Sequence, residues 1–504
     1  MRSIIQLFGK LFAPAYRRFE QALNHPELTQ LSIQQEICDR LMASDYGKAL
    51  KIRSVEDWQD VPIVDYDTLE PWILGQEKRQ QIPLTTEPIL FYEKTSGSSG
   101  AIKWIPYTLS LRRSFNQMFC VWAYDLIKNG PRFSTGKIYA CISPQLNVAD
   151  SSALQDDLDY LDGWLRWLLH PWLVMPNNLN RLHNAQEFKH QLALALLQAE
   201  KLEIISIWSP SFLQVHLKYI QENQELLQQE LHNKISRHRL QLLGENPIPW
   251  TQLWSNLKLI SCWDSANAAD QAKGLRSQFP GVLVQGKGLL ATEAPMTIPL
   301  IAAGGYVPVL DEVFFEFEDN SGSVYRLHEL NQGGEYTIIL SQKGGLYRYR
   351  IGDRIRVTHY YRQTPCLEFL GRHQAVSDLV GEKLQSNFVH DALHSMNLPE
   401  GCFKSLVSLA EPAQYILLLD SAQATKEILA QQLDEALSQS YHYQRARSLG
   451  QLAPPQVIIS PQIPEILALH RLRSGSIWGG IKHPILATSP ISTELLQELQ
   501  RTSS

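Results

Sequence analysis

The sequence is poor in the features that build metal scaffolds, secreted frameworks and membrane spans. Its six cysteines, Cys38, Cys120, Cys141, Cys262, Cys366 and Cys402, form no C-x-x-C pair, and its histidines do not cluster. Neither a zinc site nor a disulfide framework is therefore expected, and a reducing, cytoplasmic setting fits best. No stretch approaches the roughly 18 apolar residues of a membrane-spanning helix, so no stable membrane insertion is expected. The amino-terminal MRSIIQLFGKLFAPAYRRF, interrupted by Lys10, reads as a packing helix or as a basic amphipathic helix lying on a membrane surface. With a formal net charge of -5, the chain offers no overall basic field for nucleic acid. Any anionic ligand has to be held locally.

What is present is globular. The 504 residues are 44% hydrophobic and 19% charged, enough for about three domain-sized units, or fewer if one is a large α/β domain. Up to about residue 80 the pattern is helical and amphipathic, ending in VPIVDYDTLEPWI. From residue 91, short apolar runs such as KIYACIS, LEIISIW and LKLISCW alternate with helical stretches such as AQEFKHQLALALLQAEK. That is the rhythm of a layered α/β domain. Between Val309 and Leu370 the runs VLDEVFFEFED, GEYTIILSQKGGLYRYRIGDRIRVTHYY and CLEFLG read as strands, with Lys343-Gly344-Gly345 as a hairpin turn. Beyond Gly371, strands at FKSLVSLA, QYILLLD and QVIIS and a helix carrying Leu429, Leu433 and Leu437 at i, i+4 spacing make a small α+β unit. The expected division is thus a large domain over residues 1–370 and a small one over 371–504, although no Gly/Ser linker marks it.

The stretch most suggestive of chemistry is FYEKTSGSSGAIKWI. Successive amides in a glycine-rich turn can converge on an anion, with serine and threonine hydroxyls and a nearby lysine adding to the cradle. The Walker spacing is not met, because Gly97 and Gly100 are three apart and Lys103 precedes Trp104. An ordinary surface turn has the same composition. A second glycine pattern, Gly286, Gly288 and Ala291 after a strand, mimics the dinucleotide fingerprint of oxidoreductases. Pro295 and Pro299 leave no room for the helix that fingerprint requires.

Four runs in order discriminate further: T-S-G-S-S-G-A-I-K at 95–103, A-T-E at 291–293, Y-R-Y-R-I-G-D at 347–353, and G-R at 371–372 followed by S-D-L-V-G-E-K-L at 377–384. Together they resemble the motifs of the acyl-adenylate-forming superfamily. With the flanks DWQDVPIVDYDTLEPWI, IPYT and FFEFED, nearly the whole chain is similar to the auxin-responsive acyl acid amido synthetase family, the plant hormone-conjugating enzymes and their bacterial relatives.

The resemblance implies a large α/β domain with a β-rich subregion and a small, mobile α+β domain hinged near 371–378. It implies ATP and Mg²⁺ as cofactors, and a small carboxylic acid and an amine as substrates. Thr95, Ser96, Gly97, Ser98, Ser99 and Gly100 would grip the β- and γ-phosphates with Lys103 nearby. Thr292 would donate to the α-phosphate, Glu293 would hold Mg²⁺, Asp353 would take the ribose hydroxyls and Arg372 would reach the nucleotide. Lys482, in R-S-G-S-I-W-G-G-I-K-H-P, resembles the carboxy-terminal lysine that bridges acyl carboxylate and α-phosphate. Leu289 replaces the aromatic residue that commonly stacks on adenine, and the phosphate loop is one residue shorter than in plant members.

Tyr347, Arg348, Tyr349 and Arg350 should alternate along a strand, so that only one face reaches the site, and none is assigned. Trp164, Trp167, Trp172 and Trp208 fall where an acyl pocket could lie, but aromatic residues in such runs are more often core, and none is assigned to substrate. Transfer to a thiol such as coenzyme A, and a non-catalytic binding protein of the same fold, are the alternatives.

Overall fold

The structure is a computed structural model, and it describes residues 2–77, 84–95, 103–140, 170–176, 185–372, 376–396, 398–473 and 483–502. Residues 96–100 of the glycine-serine loop, Lys482, Trp164 and Trp167 lie outside the described residues. The chain forms two compact units. One comprises Met1–Ile138, Val148–Leu173 and Gly286–His373; the other comprises Tyr139–Asn147, Val174–Gln285 and Gln374–Ser504.

In the first unit the centre is a five-stranded antiparallel sheet ordered Val324–Arg326, Val313–Glu318, Glu335–Gln342, Leu346–Tyr361, Thr364–Arg372. Four of these strands are expected from the sequence, Val324–Arg326 being the addition, and the Lys343–Gly345 turn joins Glu335–Gln342 to Leu346–Tyr361, with Gly345 at φ +118 where a side chain would be strained. Inward residues such as Phe315, Phe317, Ile338 and Leu340 are fully buried. Helices Arg2–Asn24 and Leu109–Asn129 pack on each other through Phe12 edge-on to Phe119 and Tyr16 against Tyr124 at 4.5 Å. Phe12, Tyr16 and Phe19 of the amino-terminal helix are thus buried against their own chain. Among the described residues no helix is long and apolar enough to cross a membrane, and the five described cysteines are free thiols.

The expected alternation of Tyr347 to Arg350 fails at one place. Leu340 pairs with Tyr349 but Gln342 pairs with Leu346, so one extra residue is squeezed into the second strand. A bulge of this kind bends the strand and re-aims its side chains. Arg348 sits at φ +45, an uncommon conformation for a residue with a side chain. Tyr347, Arg348 and Tyr349 are consequently all buried, at 0%, 4% and 2% exposure. The buried guanidinium is held by both oxygens of Glu316 at 2.9 Å and by the carbonyl of Val61 at 2.8 Å. Trp58 Nε1 donates to the same carboxylate.

In the second unit, strands Leu202–Ser206, Leu259–Cys262 and Leu283–Gly286 lie side by side, the first two parallel, with helices Ala185–Gln198, Pro210–Glu222 and Ala269–Gln278 around them. The expected carboxy-terminal elements are present: strands Lys404–Leu409 and Gln414–Leu419 antiparallel, Gln456–Ile459 parallel to the latter, and helix Lys426–Leu437 burying Leu429, Leu433 and Leu437. The compact units nonetheless cut the chain differently from a single boundary near 371, because residues 174–285 group with 374–504. Helix Ile463–Arg473 gives the physical reason. Its Ile463 and Ile466 join the carboxy-terminal core with Phe403 and Leu418, while Ala468 and Leu472 belong to the core of residues 185–284. Polar links run beside it, from Lys189 to Glu465 and from Lys404 to Asp270.

Two outcomes follow for the first unit. Glu316→Gln leaves Arg348 charged and buried without a counter-ion, so we expect a loss of about 3 kcal/mol or more, seen as a fall in Tm of several degrees. Asp311, buried, has its carboxyl pushed up to about 6 by desolvation and then by Glu312, with Arg18 and Gln117 offsetting only part. A folded-state value above the unfolded 3.8 makes ionised Asp311 a cost above about pH 6 that fades as pH falls toward the unfolded value. The stability of Asp311→Asn relative to the native chain should therefore drop by about 1 kcal/mol between pH 7.5 and pH 5, measured by denaturant titration at both values. A constant difference would show that Asp311 is not strained by burial.

Candidate active site

The residues singled out from four separate motifs fall on elements of the first unit. Lys103 opens the strand Lys103–Thr108, which pairs antiparallel with Ile89–Thr95 so that Lys103 faces Thr95 across the ladder. Thr292 and Glu293 are the two turn residues of another hairpin, in which Ala291 pairs with Ala294 and Leu290 with Pro295. Its position is fixed by the fully buried Tyr107, whose hydroxyl donates to the Thr292 carbonyl at 2.8 Å. A hairpin, not a helix, thus follows Gly286 and Gly288, as the prolines require.

Asp353 follows Gly352 at φ +84. It lies inside the strand Leu346–Tyr361 and pairs with Arg372 in the neighbouring strand. Its carboxylate accepts from Arg372 Nε at 3.0 Å. Asp353 is buried, while 41% of the Arg372 side chain remains exposed. One end of the fork-shaped guanidinium is thus held and its outer part is accessible.

Glu293 is the electrostatic centre. It is 5% exposed, and burial raises its proton affinity; the charges of Arg372 and Lys103 pull it back, and that of Asp353 adds to the rise. Three charges up to 269 positions apart in the sequence, those of Lys103, Asp353 and Arg372, therefore act on Glu293. For Arg372, burial works against the charge, and Asp353 and then Glu293 more than offset it.

Tyr349, left unassigned from the sequence, joins them. Burial pushes its hydroxyl up, with Glu293 the next contributor, and Arg372, Asp65 and Tyr66 also act on it. The bulge at Arg348, invisible in a two-residue repeat, is what turns Tyr349 this way. Tyr66 was missed as well, although VPIVDY was conspicuous as a flank. Its hydroxyl accepts from the Trp104 amide at 2.8 Å, and its ring lies 5.4 Å from Lys103 Nζ. Leu289, the substitute for an aromatic platform, is 5% exposed and belongs to the core, its amide donating to Thr297 Oγ1 at 2.7 Å. Trp172 lies against Gly136, and Trp208 packs on the second unit's core with its ring 5.6 Å from Trp263.

Most of the chain matches the domains of one known family. Residues 15–284 match the GH3 family N-terminal domain, 306–372 the GH3 family central domain and 384–491 the GH3 family C-terminal domain. The chain is similar to indole-3-acetic acid-amido synthetase GH3.2 of Arabidopsis thaliana, at 20% identity over 520 residues, covering 87% of this chain and 94% of that protein. A human GH3 domain-containing protein is 25% identical over 231 residues, 41% of this chain, and the match spans only 44% of that relative's length. Among solved structures, the GH3.15 acyl acid amido synthetase in complex with 2,4-DB superposes with a TM-score of 0.80 at 17% identity, over 98% of this chain and 96% of that one. A 2-hydroxyisobutyryl-CoA ligase in its postadenylation state gives 0.54 at 15% identity, over 94% and 91%. These superpositions show the shared fold.

Proposed function

The chain belongs to the GH3 family, and from that premise we propose that it is an ATP- and Mg²⁺-dependent acyl acid amido synthetase of the cytoplasm. It adenylates a small carboxylic acid and passes the acyl group to an amine, an amino acid in the first instance, releasing pyrophosphate and AMP. The observation that carries this reading is the mutual placement of Lys103, Glu293, Asp353 and Arg372. Relatives named for joining indole-3-acetic acid or jasmonate to amino acids support the reaction class.

In the first half-reaction a carboxylate oxygen attacks the α-phosphorus and the bond to the bridging oxygen of pyrophosphate breaks. Fixed cations and donors are what such a transition state needs most. Lys103 and the amides and hydroxyls of residues 95–100 would hold the terminal phosphates, Thr292 the α-phosphate, and Asp353 the ribose with Arg372 beside it. A Mg²⁺ ion bound chiefly by phosphates asks the protein for one or two carboxylates. Glu293 suits that role, since a cation beside this buried carboxylate would supply the countercharge its burial demands. When bound, the ion supplies neutralisation of phosphate charge. Lys482 would reach the acyl carboxylate.

In the second half-reaction the amine nitrogen attacks the acyl carbon, the bond to AMP breaks and the amine gives up a proton. Orientation of the two partners carries much of this step. Residues 371–504 would turn about 371–378 between the halves, a motion able to limit turnover. Such a turn has to part Lys189 from Glu465 and draw Leu472 out of the core it shares with residues 185–284.

The test is an array of carboxylic acids against amino acids, scored for AMP and for the mass of the conjugate. We expect AMP only where an amide is found, and a loss of about 100-fold or more in Lys103→Ala and in Asp353→Asn. A thioester formed with added coenzyme A, with no amide, would replace the acceptor. No AMP from any acid with the folded protein would overturn the enzymatic reading.

A further inference from the structure

Lys103 carries no ion pair among the described residues, although it is half-buried. Asp65 is near enough for the two charges to act on each other, yet no described carboxylate lies within salt-bridge distance of the ammonium. A long, flexible side chain left this way would sample many rotamers, and aiming it at a phosphate would then cost conformational freedom at each turnover. The structure does constrain it, through a segment to which composition gave no chemical role.

That segment is V-P-I-V-D-Y at 61–66. Val64 adds itself to the central sheet beside the bulge, its amide donating to the Arg348 carbonyl at 3.1 Å and its carbonyl accepting from the Arg350 amide at 2.8 Å. Asp65 then accepts from the Thr68 amide and hydroxyl at 3.1 and 2.9 Å, ending the extended run and starting helix Tyr66–Glu77. A carboxylate capping the first turn in this manner fixes where the helix begins. Tyr66 is therefore placed from both sides, by a backbone ladder before it and a helix after it, and it is 4% exposed.

From this position Tyr66 touches the start of the Lys103–Thr108 strand twice. Its phenolic oxygen accepts from the Trp104 amide at 2.8 Å, and its ring lies 5.4 Å from Lys103 Nζ. An ammonium within about 6 Å of an aromatic centroid is drawn to the ring, more strongly where water is excluded. Unlike a carboxylate, the ring orients the ammonium without neutralising it, so its charge stays available to an anion.

We propose that Tyr66 is a positioning residue that holds the Lys103 ammonium aimed for phosphate, acting through Lys103 and not on substrate itself. The proposal rests on the phosphate role assigned to Lys103 above.

The experiment measures kcat and KM for ATP in AMP formation, with a productive acid from the array, alongside Tm. Phenylalanine, and then mono-, di- and trifluorophenylalanine, replace Tyr66 at nearly constant shape while the ring's negative face weakens. We expect kcat/KM for ATP to fall stepwise along the fluorinated series, reaching about tenfold, with Tm unchanged among its members. Tyr66→Leu should lose about as much, and should lose nothing further when added to Lys103→Ala. Activity that ignores fluorination, or a Tyr66→Leu loss of the same size with and without Lys103, would overturn the proposal by marking Tyr66 as structural. A Lys103→Ala enzyme with native kinetics would overturn the role of the lysine itself, an outcome distinguished because the first member of the cycle already shows it.

Discussion

The buried pair of Arg348 and Glu316 is the constraint on which the site depends. Taken alone, an arginine at positive φ with its charge out of water is doubly unfavourable, by the conformation and by desolvation. It is tolerated because both carboxylate oxygens and a main-chain carbonyl converge on the guanidinium. The bulge it stabilises changes the phase of the strand by one residue. Val64 can then dock on the bulge and Tyr349 turns toward Glu293; a second irregularity, between Arg350 and Arg354, precedes the pairing of Asp353 with Arg372. A strand with unbroken alternation would send Tyr349 and Arg348 to opposite faces and leave the V-P-I-V-D-Y segment without its ladder.

Much of this fold could be read from apolar periodicity, since it is what strands and helices need in order to bury one face. Four strands of the central sheet, the alternating α/β elements and the leucines four residues apart in helix Lys426–Leu437 came through that signal. The bulge did not, because nothing in Y-R-Y-R distinguishes a phase change from regular alternation. Helix Ile463–Arg473 was silent for a related reason. It buries Ile463, Ile466, Ala468 and Leu472 on different sides, so it has no single apolar stripe, and the shared core it creates could not be inferred from a boundary at Gly371.

The site residues were legible to different degrees for physical reasons. Lys103, Thr292, Glu293 and Asp353 belong to short motifs that can be read directly along the sequence. Tyr66 belongs to none, because a ring that orients a lysine can be any aromatic in any element that reaches it. Only the ladder through Val64 and the cap at Asp65 show why the tyrosine at this position is the one that arrives. Tyr107 is similar, its hydroxyl bridging to the Thr292 carbonyl across 185 residues of sequence.

The second unit sets an energy scale for any motion of residues 371–504. Fully burying one leucine is worth about 1.5–3 kcal/mol, and partly exposed ion pairs such as Lys404 with Asp270 add little more each. The surface that joins helix Ile463–Arg473 to residues 185–284 is thus held by a few kcal/mol: Leu472 and Ala468, the Lys189 link to Glu465, and the surrounding polar contacts. A difference of that size would keep any alternative arrangement at a minor population, yet within reach of a ligand that contacts the two arrangements differently. A larger apolar seam would lock the two parts together for good, whereas a seam with no leucine would leave the arrangement undefined between turnovers. The seam found here combines Leu469 and Leu472 with short polar links, which hold one arrangement and could be parted at a cost of a few kcal/mol.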